Sequence, residues 1–597
     1  MRVLAVGPSR WVLALFGLLC LLGQHLFMHH LGGAGLDLPF NASTWLFIGA
    51  MLAAGAFTLR PVLVTSGLWW CLLLGAVLLW LPFFYPHAEA TRMQALPRLL
   101  GLSGGLLFYL ILQQCRFNAL QRRWLLCLLL GLATLQMLFG LVQFFALPAD
   151  NWFRFNTGIR LPYGIFMQRN VMSSFVGSGV LLALYLLVMM RGGRSQWLIW
   201  LWCVSAAVMG IVLVLLLQSR AGLYSLMAGL LLLVPVCWLR LSTRPQRWLL
   251  LAMVIFGLGA GLVLLLQADL HRRMLEVYGE LGVRYEIWIT TLGLIARHFW
   301  LGVGYGGFEP AYYAEAARLL TAGGPVPQMP GGLHHPHNEI LLWLAEGGVV
   351  TLLAWLLWAW GLCSLLRHLP WSERLALVAL CLPLFGHLMS EYPFGHSSVH
   401  WLWLLVLLWF FDSQYGRGRL LYGMSVWPGQ TLLLVIGLAT VLYMATGLQT
   451  AYQLTHFERG RFSDERRLAA VWNPWFWQDR RELYRHSARL EAALASGDSQ
   501  GLDAYLAWST PMIARLPRTS LLSNHLLALS AVGREQEAHT LAGRLRQEYP
   551  HDRQFSTGAL VAVKDKLAAG EAPRVYRRLS QPVGSATYYQ DWYFAGD

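Results

Sequence analysis

His334-His335-Pro336-His337-Asn338-Glu339 runs directly into an apolar stretch from Ile340 to Leu366. A run of that length, about twenty residues or more without a central charge, reads as a transmembrane helix. The histidines sit just before its first turn, which places them at a membrane surface and outside hydrocarbon. Pro336 suits a helix start and Asn338 is a good N-cap residue. The positive end of that helix then faces the same solvent as the imidazoles, so the corner favours anions and contains a titratable base. Glu346, beside Gly347 and Gly348, is the one charge that interrupts the run. The plainer reading of such a cluster is a polar cap at the membrane interface, and the rest of the chain decides between the two.

The chain has 597 residues, 57% of them hydrophobic, and a formal charge of +15. Apolar segments so numerous and so long exceed what a soluble core uses, and an all-α, polytopic membrane protein follows. The positive charge is almost wholly arginine, with Lys only at 564 and 566. It is spread over short connections between apolar segments, a pattern of membrane topology and not of nucleic-acid binding. The eight cysteines lie in or beside apolar stretches without metal-ligand spacing, so neither disulfides nor zinc are expected. Arg2 and Arg10 before an apolar stretch resemble a signal, but no small-residue cleavage site follows, and an uncleaved first span is expected.

About thirteen spans can be marked by length and flanks: 11–28, 43–59, 62–81, 98–115, 124–146, 171–190, 197–217, 221–239, 248–267, 340–366, 375–389, 399–411 and 429–447. Arg2/Arg10, Arg60, Arg116/Arg122/Arg123, Arg191/Arg194, Arg240/Arg244/Arg247, Arg367/Arg374 and Arg417/Arg419 then fall in every second connection. The positive-inside rule makes those connections cytoplasmic. Past about 448 the composition turns polar and helical, so the chain divides into a membrane domain over 1–448 and an outer helical domain over 449–597. Ser523 to Tyr549 reads as a tetratricopeptide-like hairpin joined at Gly533-Arg534.

The opposite connections face outward, and the unusual chemistry is there. The 147–170 loop ends with Arg160 and Gly164-Ile-Phe-Met-Gln168-Arg169-Asn170. A tight turn carries Gln218-Ser219-Arg220, where a charge between two strongly apolar helices calls for a partner. The long 268–339 segment holds Arg284-Tyr-Glu-Ile-Trp288, then Gly302-Val-Gly304-Tyr-Gly306-Gly307-Phe308, then the histidines; Ser390-Glu391-Tyr392-Pro393 follows in a later turn. Gly302, Gly304 and Gly307 match the letters of a dinucleotide fingerprint, but no βαβ pattern surrounds them. A glycine-rich turn into an amphipathic helix near 309–320 is the better reading. Three arginines, one histidine at a helix start and one carboxylate, with no acidic pair to hold a divalent ion, suit chemistry on an anionic substrate. Arginine forks hold a phosphate or pyrophosphate and a neutral histidine takes a proton from an alcohol.

These residues carry a resemblance. His335-Pro-His337-Asn338-Glu339 with the following Glu346-Gly-Gly is similar to the hallmark of the O-antigen ligase/polymerase (Wzy_C) superfamily. The Gly164–Asn170 run, Arg284–Trp288 with Gly302–Phe308, and Glu391-Tyr392-Pro393 resemble the PglL-type bacterial protein O-oligosaccharyltransferases. The resemblance implies en bloc transfer of an oligosaccharide from undecaprenyl pyrophosphate to Ser or Thr of exported proteins such as pilins. It implies an inner-membrane enzyme with its active site and C-terminal domain in the periplasm, without metal or other cofactor. His337, Arg220 and Arg284 match the catalytic positions; Arg160, Gln168, Asn170, Asn338, Trp288, Glu391 and Tyr392 are expected to bind substrate. Transfer to lipid A-core and O-antigen polymerisation are the alternatives within the superfamily. A lipid-linked glycan transporter is less favoured, because the polar groups cluster at one interface and not at mid-membrane depth.

Overall fold

The computed structural model describes residues 7–30, 32–158, 160–189, 196–267, 283–323, 332–422, 425–550, 552–569 and 573–577. Arg2, Arg191 and Arg194 of the arginine alternation, and parts of the long outer segment at 268–282 and 324–331, lie outside them. The first half of the chain forms helices α1 (Pro8–Leu21), α2 (Pro39–Ala56), α3 (Gly67–Trp80), α4 (Leu96–Gln114), α5 (Ala119–Phe145), α6 (Arg169–Met189), α7 (Gln196–Leu217), α8 (Arg220–Arg240) and α9 (Arg244–Gln267). The outer segment folds into α10 (Val283–Arg297), α11 (Phe308–Thr321) and α12 (Glu339–Gly347). Then come α13 (Val349–His368), α14 (Trp371–Leu388), α15 (Ser398–Tyr415) and the long α16 (Val426–Arg459). The C-terminal part is α17 (Gln478–Ser496), α18 (Ser499–Arg515), α19 (Thr519–Val532), α20 (Glu535–Glu548) and α21 (Thr557–Ala568).

Each of the apolar stretches marked from sequence has a helix under it. Among the described residues nine helices are long and apolar enough to cross a membrane; α1, α2, α14 and α15 fall short of that standard. The chain is a multi-pass helical membrane protein. At its centre stand α6, buried from Val171 to Val188, and α15, buried from Ser398 to Asp412. Ser174 of α6 ties them to α14: its hydroxyl lies 2.7 Å from His387 Nδ1 and 3.1 Å from His400 Nε2.

The run 340–366 is not one helix. α12 stops at Gly347, and Gly348 turns the chain at φ +63° before α13 begins. A Cβ at Gly348 would press on the Trp300 carbonyl, because residues 299–304 cross there. Phe299 O accepts from Val349 N–H at 2.8 Å, and the Val303 and Gly304 amides donate to Ala345 O and Glu346 O at 2.9 Å each. The glycine-rich turn is thus a docking surface for the end of α12, with positive φ at Gly302, Gly304 and Gly306. The histidines are set back from the membrane-crossing helix α13 by the whole of α12.

Residues 63–66, expected to open a span, instead form β1 (Leu63–Ser66), which pairs antiparallel with β2 (Gly418–Leu421). The pairing brings the connections bearing Arg60 and Arg417/Arg419 to one end of the bundle. The boundary expected at 448 falls inside the unbroken α16, whose sequence changes character as it leaves α2 and reaches Phe476 and Tyr484. The C-terminal helices also share a core with α10–α12: Phe308, Tyr313, Leu333 and Leu342 cluster with Leu521, Leu522 and Tyr549.

A buried ion pair locks α12 to α4. Arg98 Nη2 meets Glu346 Oε2 at 2.5 Å, with the side chains 14% and 5% exposed. Its guanidinium lies over the Trp343 ring at 4.0 Å, and Glu346 Oε1 accepts from Gly306 N–H at 2.9 Å. Removing one partner of such a pair strands a charge, so Arg98→Met should destabilise the protein by about 3–5 kcal/mol. The thermal midpoint in detergent should fall, and the double variant with Glu346→Met should recover much of the loss.

Candidate functional site

The sequence around His337 folds into a tight turn for local reasons. Asn338 caps α12, its Oδ1 accepting from Leu341 N–H at 3.1 Å, while its Nδ2 donates to Met389 O at 3.1 Å. Both ends of that amide are thereby committed to backbone. Trp288 of α10 donates its indole N–H to Pro336 O at 2.9 Å. His337 itself is left-handed at φ +50°, a conformation that costs a non-glycine residue and persists where surrounding contacts enforce it. The His337 amide donates to His335 Nδ1 at 3.1 Å, which puts the His335 proton on Nε2.

Glu391 lies at the centre of the site. It is 2% exposed, and its amide donates to His387 O at 2.8 Å, so its turn hangs from the end of α14. Oε2 accepts from His337 Nδ1 at 2.8 Å. Oε1 meets Arg284 Nη2 at 2.6 Å and the Asn170 amide at 3.3 Å. Burial pushes this carboxyl up, but His337 and Arg284 facing it hold it well below the usual carboxylate range. The acid is ionised, and its Oε2 faces His337 Nδ1 as the acceptor of that nitrogen's proton.

Aromatic and neutral groups close the surroundings. Tyr392 stacks on His335 with centroids 5.4 Å apart; its phenol is pushed up to about 12, chiefly by burial. Burial, with neighbouring charges, lowers the imidazoles of His334, His335 and His396, which keeps them neutral. Glu339 is raised to about 7 by burial, and its Oε2 accepts from Phe394 N–H at 3.3 Å. Asn41 of α2 fixes the far side of this turn, donating to His396 O and accepting from Ser398 N–H at 2.8 Å each.

Of the residues expected at the site, His337, Arg284, Asn170 and Glu391 meet directly, and Trp288, Asn338 and Tyr392 pack around them. Arg220 heads α8 behind the N-cap Ser219. A Cβ on Gly222 would strike Ser173, three residues past Asn170, and the Ala221 carbonyl lies beside Gly386 near the end of α14. Arg220 therefore stands at the level of the Asn170 and Glu391 ends of their helices. Gln168 opens α6, its carbonyl accepting from Met172 N–H at 3.1 Å. Arg160 is exposed in the later half of the loop before α6. Among the described residues, Arg160, Met167, Gln218 and His337 are four of the nine non-glycine residues at positive φ, a conformation that costs energy and that surrounding contacts must enforce. Arg98 was not singled out in the sequence, and His335 was marked only as part of the histidine cluster, without a role of its own. A charge inside each of two apolar runs, Arg98 and Glu346, was the available signal for the first.

His335, His337 and Glu391 present ligand atoms within 4.8 Å of one another, close enough to surround a cation. Their donors are already committed: both Glu391 oxygens serve His337, Arg284 and Asn170, and His335 Nδ1 serves a backbone amide.

Three family models match the chain in order along its length. A protein glycosylation ligase model covers 162–187, from the loop before α6 into that helix. An O-antigen ligase model covers 204–356, with Arg220, Arg284 and His337. The C-terminal model of virulence factor membrane-bound polymerases covers 375–561, with Glu391 and α17–α20. No curated protein matches the chain. The matches and the helical architecture agree in supporting a likeness to the superfamily of O-antigen ligases and protein glycosylation ligases.

Proposed function

We propose that this enzyme transfers an oligosaccharide en bloc from undecaprenyl pyrophosphate to a Ser or Thr hydroxyl of an exported protein such as a pilin, at the periplasmic face of the inner membrane. The observation that carries the reading is the His337–Glu391 pair, with Nδ1–H given to a buried carboxylate and Nε2 left to accept. The acceptor hydroxyl gives its proton to Nε2 as its oxygen bonds to the anomeric carbon. The bond from that carbon to the phosphate oxygen breaks, and its electron pair leaves on the lipid pyrophosphate. Glu391 stabilises the imidazolium that forms. Arg284 and Arg220, with Arg160 from the loop, meet the developing charge; the Glu391 bond occupies one of the five N–H donors of Arg284. Gln168, Asn170 and Tyr392 shape the substrate side, while Trp288 and Asn338 act by holding the turn. A protein acceptor, in preference to lipid A-core, is supported by the glycosylation-ligase match and by the C-terminal helices beside the site.

Reconstitution of the purified protein with lipid-pyrophosphate glycan and a Ser-containing pilin should give glycosylated pilin, and the yield should withstand exhaustive EDTA. Transfer to lipid A-core alone would replace the protein acceptor, and Mg²⁺-restored activity after EDTA would bring a cation to the histidines.

His337→Ala should abolish transfer while lipid-donor binding falls much less. Glu391→Gln keeps an acceptor for Nδ1–H but removes the charge, and turnover should drop about a hundredfold or more.

Arg284→Ala and Arg220→Ala should each lower turnover on the order of a hundredfold, the scale of one lost charge-stabilising donor. Lysine should restore only part, because an ammonium is a point charge and not a fork. Full recovery by lysine at either position would show that only the charge is needed there.

A further inference from the structure

The peptide between Gly332 and Leu333 lies just before the histidines, and both its polar groups are held. Gly332 O accepts from Arg518 Nη1 at 2.8 Å. Leu333 N–H donates to the Tyr313 hydroxyl at 2.8 Å. Fixing the carbonyl and the amide of one peptide fixes the orientation of its plane. Arg518 comes from the C-terminal helices, where its carbonyl accepts from Leu522 N–H in the first turn of α19. It is 7% exposed, and its Nη2 meets the buried Glu309 Oε2 of α11 at 3.1 Å. A closed circuit results: the Tyr313 ring lies on Tyr549 at 4.6 Å, and the Tyr549 hydroxyl donates to Pro517 O at 2.6 Å, one residue before Arg518.

A buried guanidinium is an expensive way to join two packed helices, where apolar side chains of similar volume serve as well or better. What it supplies is a fork that spans a carboxylate and a carbonyl in one geometry. Beyond the clamped peptide the turn is next held at Pro336 O by Trp288 and at Asn338 by its cap. The strained His337 lies between them. Without the upstream clamp, the turn keeps its downstream supports and loses the one that sets its entry.

We propose that the C-terminal helices complete the transfer site, with Arg518 as a positioning residue that fixes the Gly332–Leu333 peptide and through it the register of His337 on Glu391. The inference rests on the reading of His337 as the base. A displacement of about 1 Å at a reacting group costs on the order of a hundredfold in rate, so a residue that touches no substrate can still govern turnover.

The test compares Arg518→Ala, Arg518→Lys and Tyr313→Phe with Arg515→Ala in the full-length protein. Arg515 pairs with Asp479 inside the C-terminal helices at 2.7 Å. In Arg518→Ala, hydrogen exchange at the Leu333 and His337 amides should accelerate at least about tenfold. Turnover should fall about ten- to a hundredfold with lipid-donor KM unchanged. Lysine should recover part, because one ammonium cannot reproduce the fork. Tyr313→Phe loses one hydroxyl, keeps its ring and should show the same exchange signature with a smaller loss of turnover; it decides the matter if Arg518→Ala does not fold. Arg515→Ala should match wild type in both readouts. Unchanged exchange or unchanged turnover in folded Arg518→Ala or Tyr313→Phe, or equal losses in Arg515→Ala, overturns the proposal. A wild-type protein that transfers no glycan removes the functional reading itself, whereas active wild type with equally active variants removes only this inference.

Discussion

Everything at this site depends on one buried carboxylate. Glu391 is shut away from water, and a lone carboxylate in that position would take up a proton. It remains ionised because two donors from distant parts of the chain, Arg284 and His337, converge on it. The dependence runs both ways. The carboxylate selects the tautomer of His337 and takes up one corner of the Arg284 fork, so three groups fix one another's state.

The surrounding architecture brings those groups together from separate elements. Central helices α6 and α15 are buried along almost their whole length, which leaves their outer ends as fixed points. Asn170 sits at one such end. The turn bearing Glu391 spans from α14 to α15 and is tied by Asn41 and by the His387 carbonyl. The histidine turn is carried by α12, which the glycine-rich crossing and the Arg98–Glu346 pair clamp to the bundle. The chemistry lies at the surface of the helical bundle, while the rigidity comes from inside it.

Legibility in the sequence follows the range of the forces involved. Apolar length and the arginine alternation are local and repeated, so the helices under the marked spans could be read directly. The capping role of Asn338 and the hairpin at Gly533, which turns at φ +81°, are set within a few residues and were equally visible. The break at Gly348 was not, because hydropathy continues smoothly across it; only the crossing of residues 299–304, fixed by tertiary contact, makes a positive φ necessary there. The β1–β2 pairing was hidden for the same reason, as its partners are more than three hundred residues apart. Among the residues expected at the site, the residue types and their order along the chain could be read. That Trp288 and Asn338 are committed to backbone, or that Glu391 faces His337, depends on which atoms meet, and spacing carries no such information.

The carbonyl of Gly332 waits for a guanidinium 186 residues further along the chain. At a synthesis rate of about 5–20 residues per second, the interval between the two is about 10 to 40 s. During that time the membrane helices, the arginines and the histidine turn have all left the ribosome, yet the turn lacks its upstream support. The order of synthesis therefore leaves the histidine turn without its upstream clamp until Arg518 and the helices around it have been made and folded.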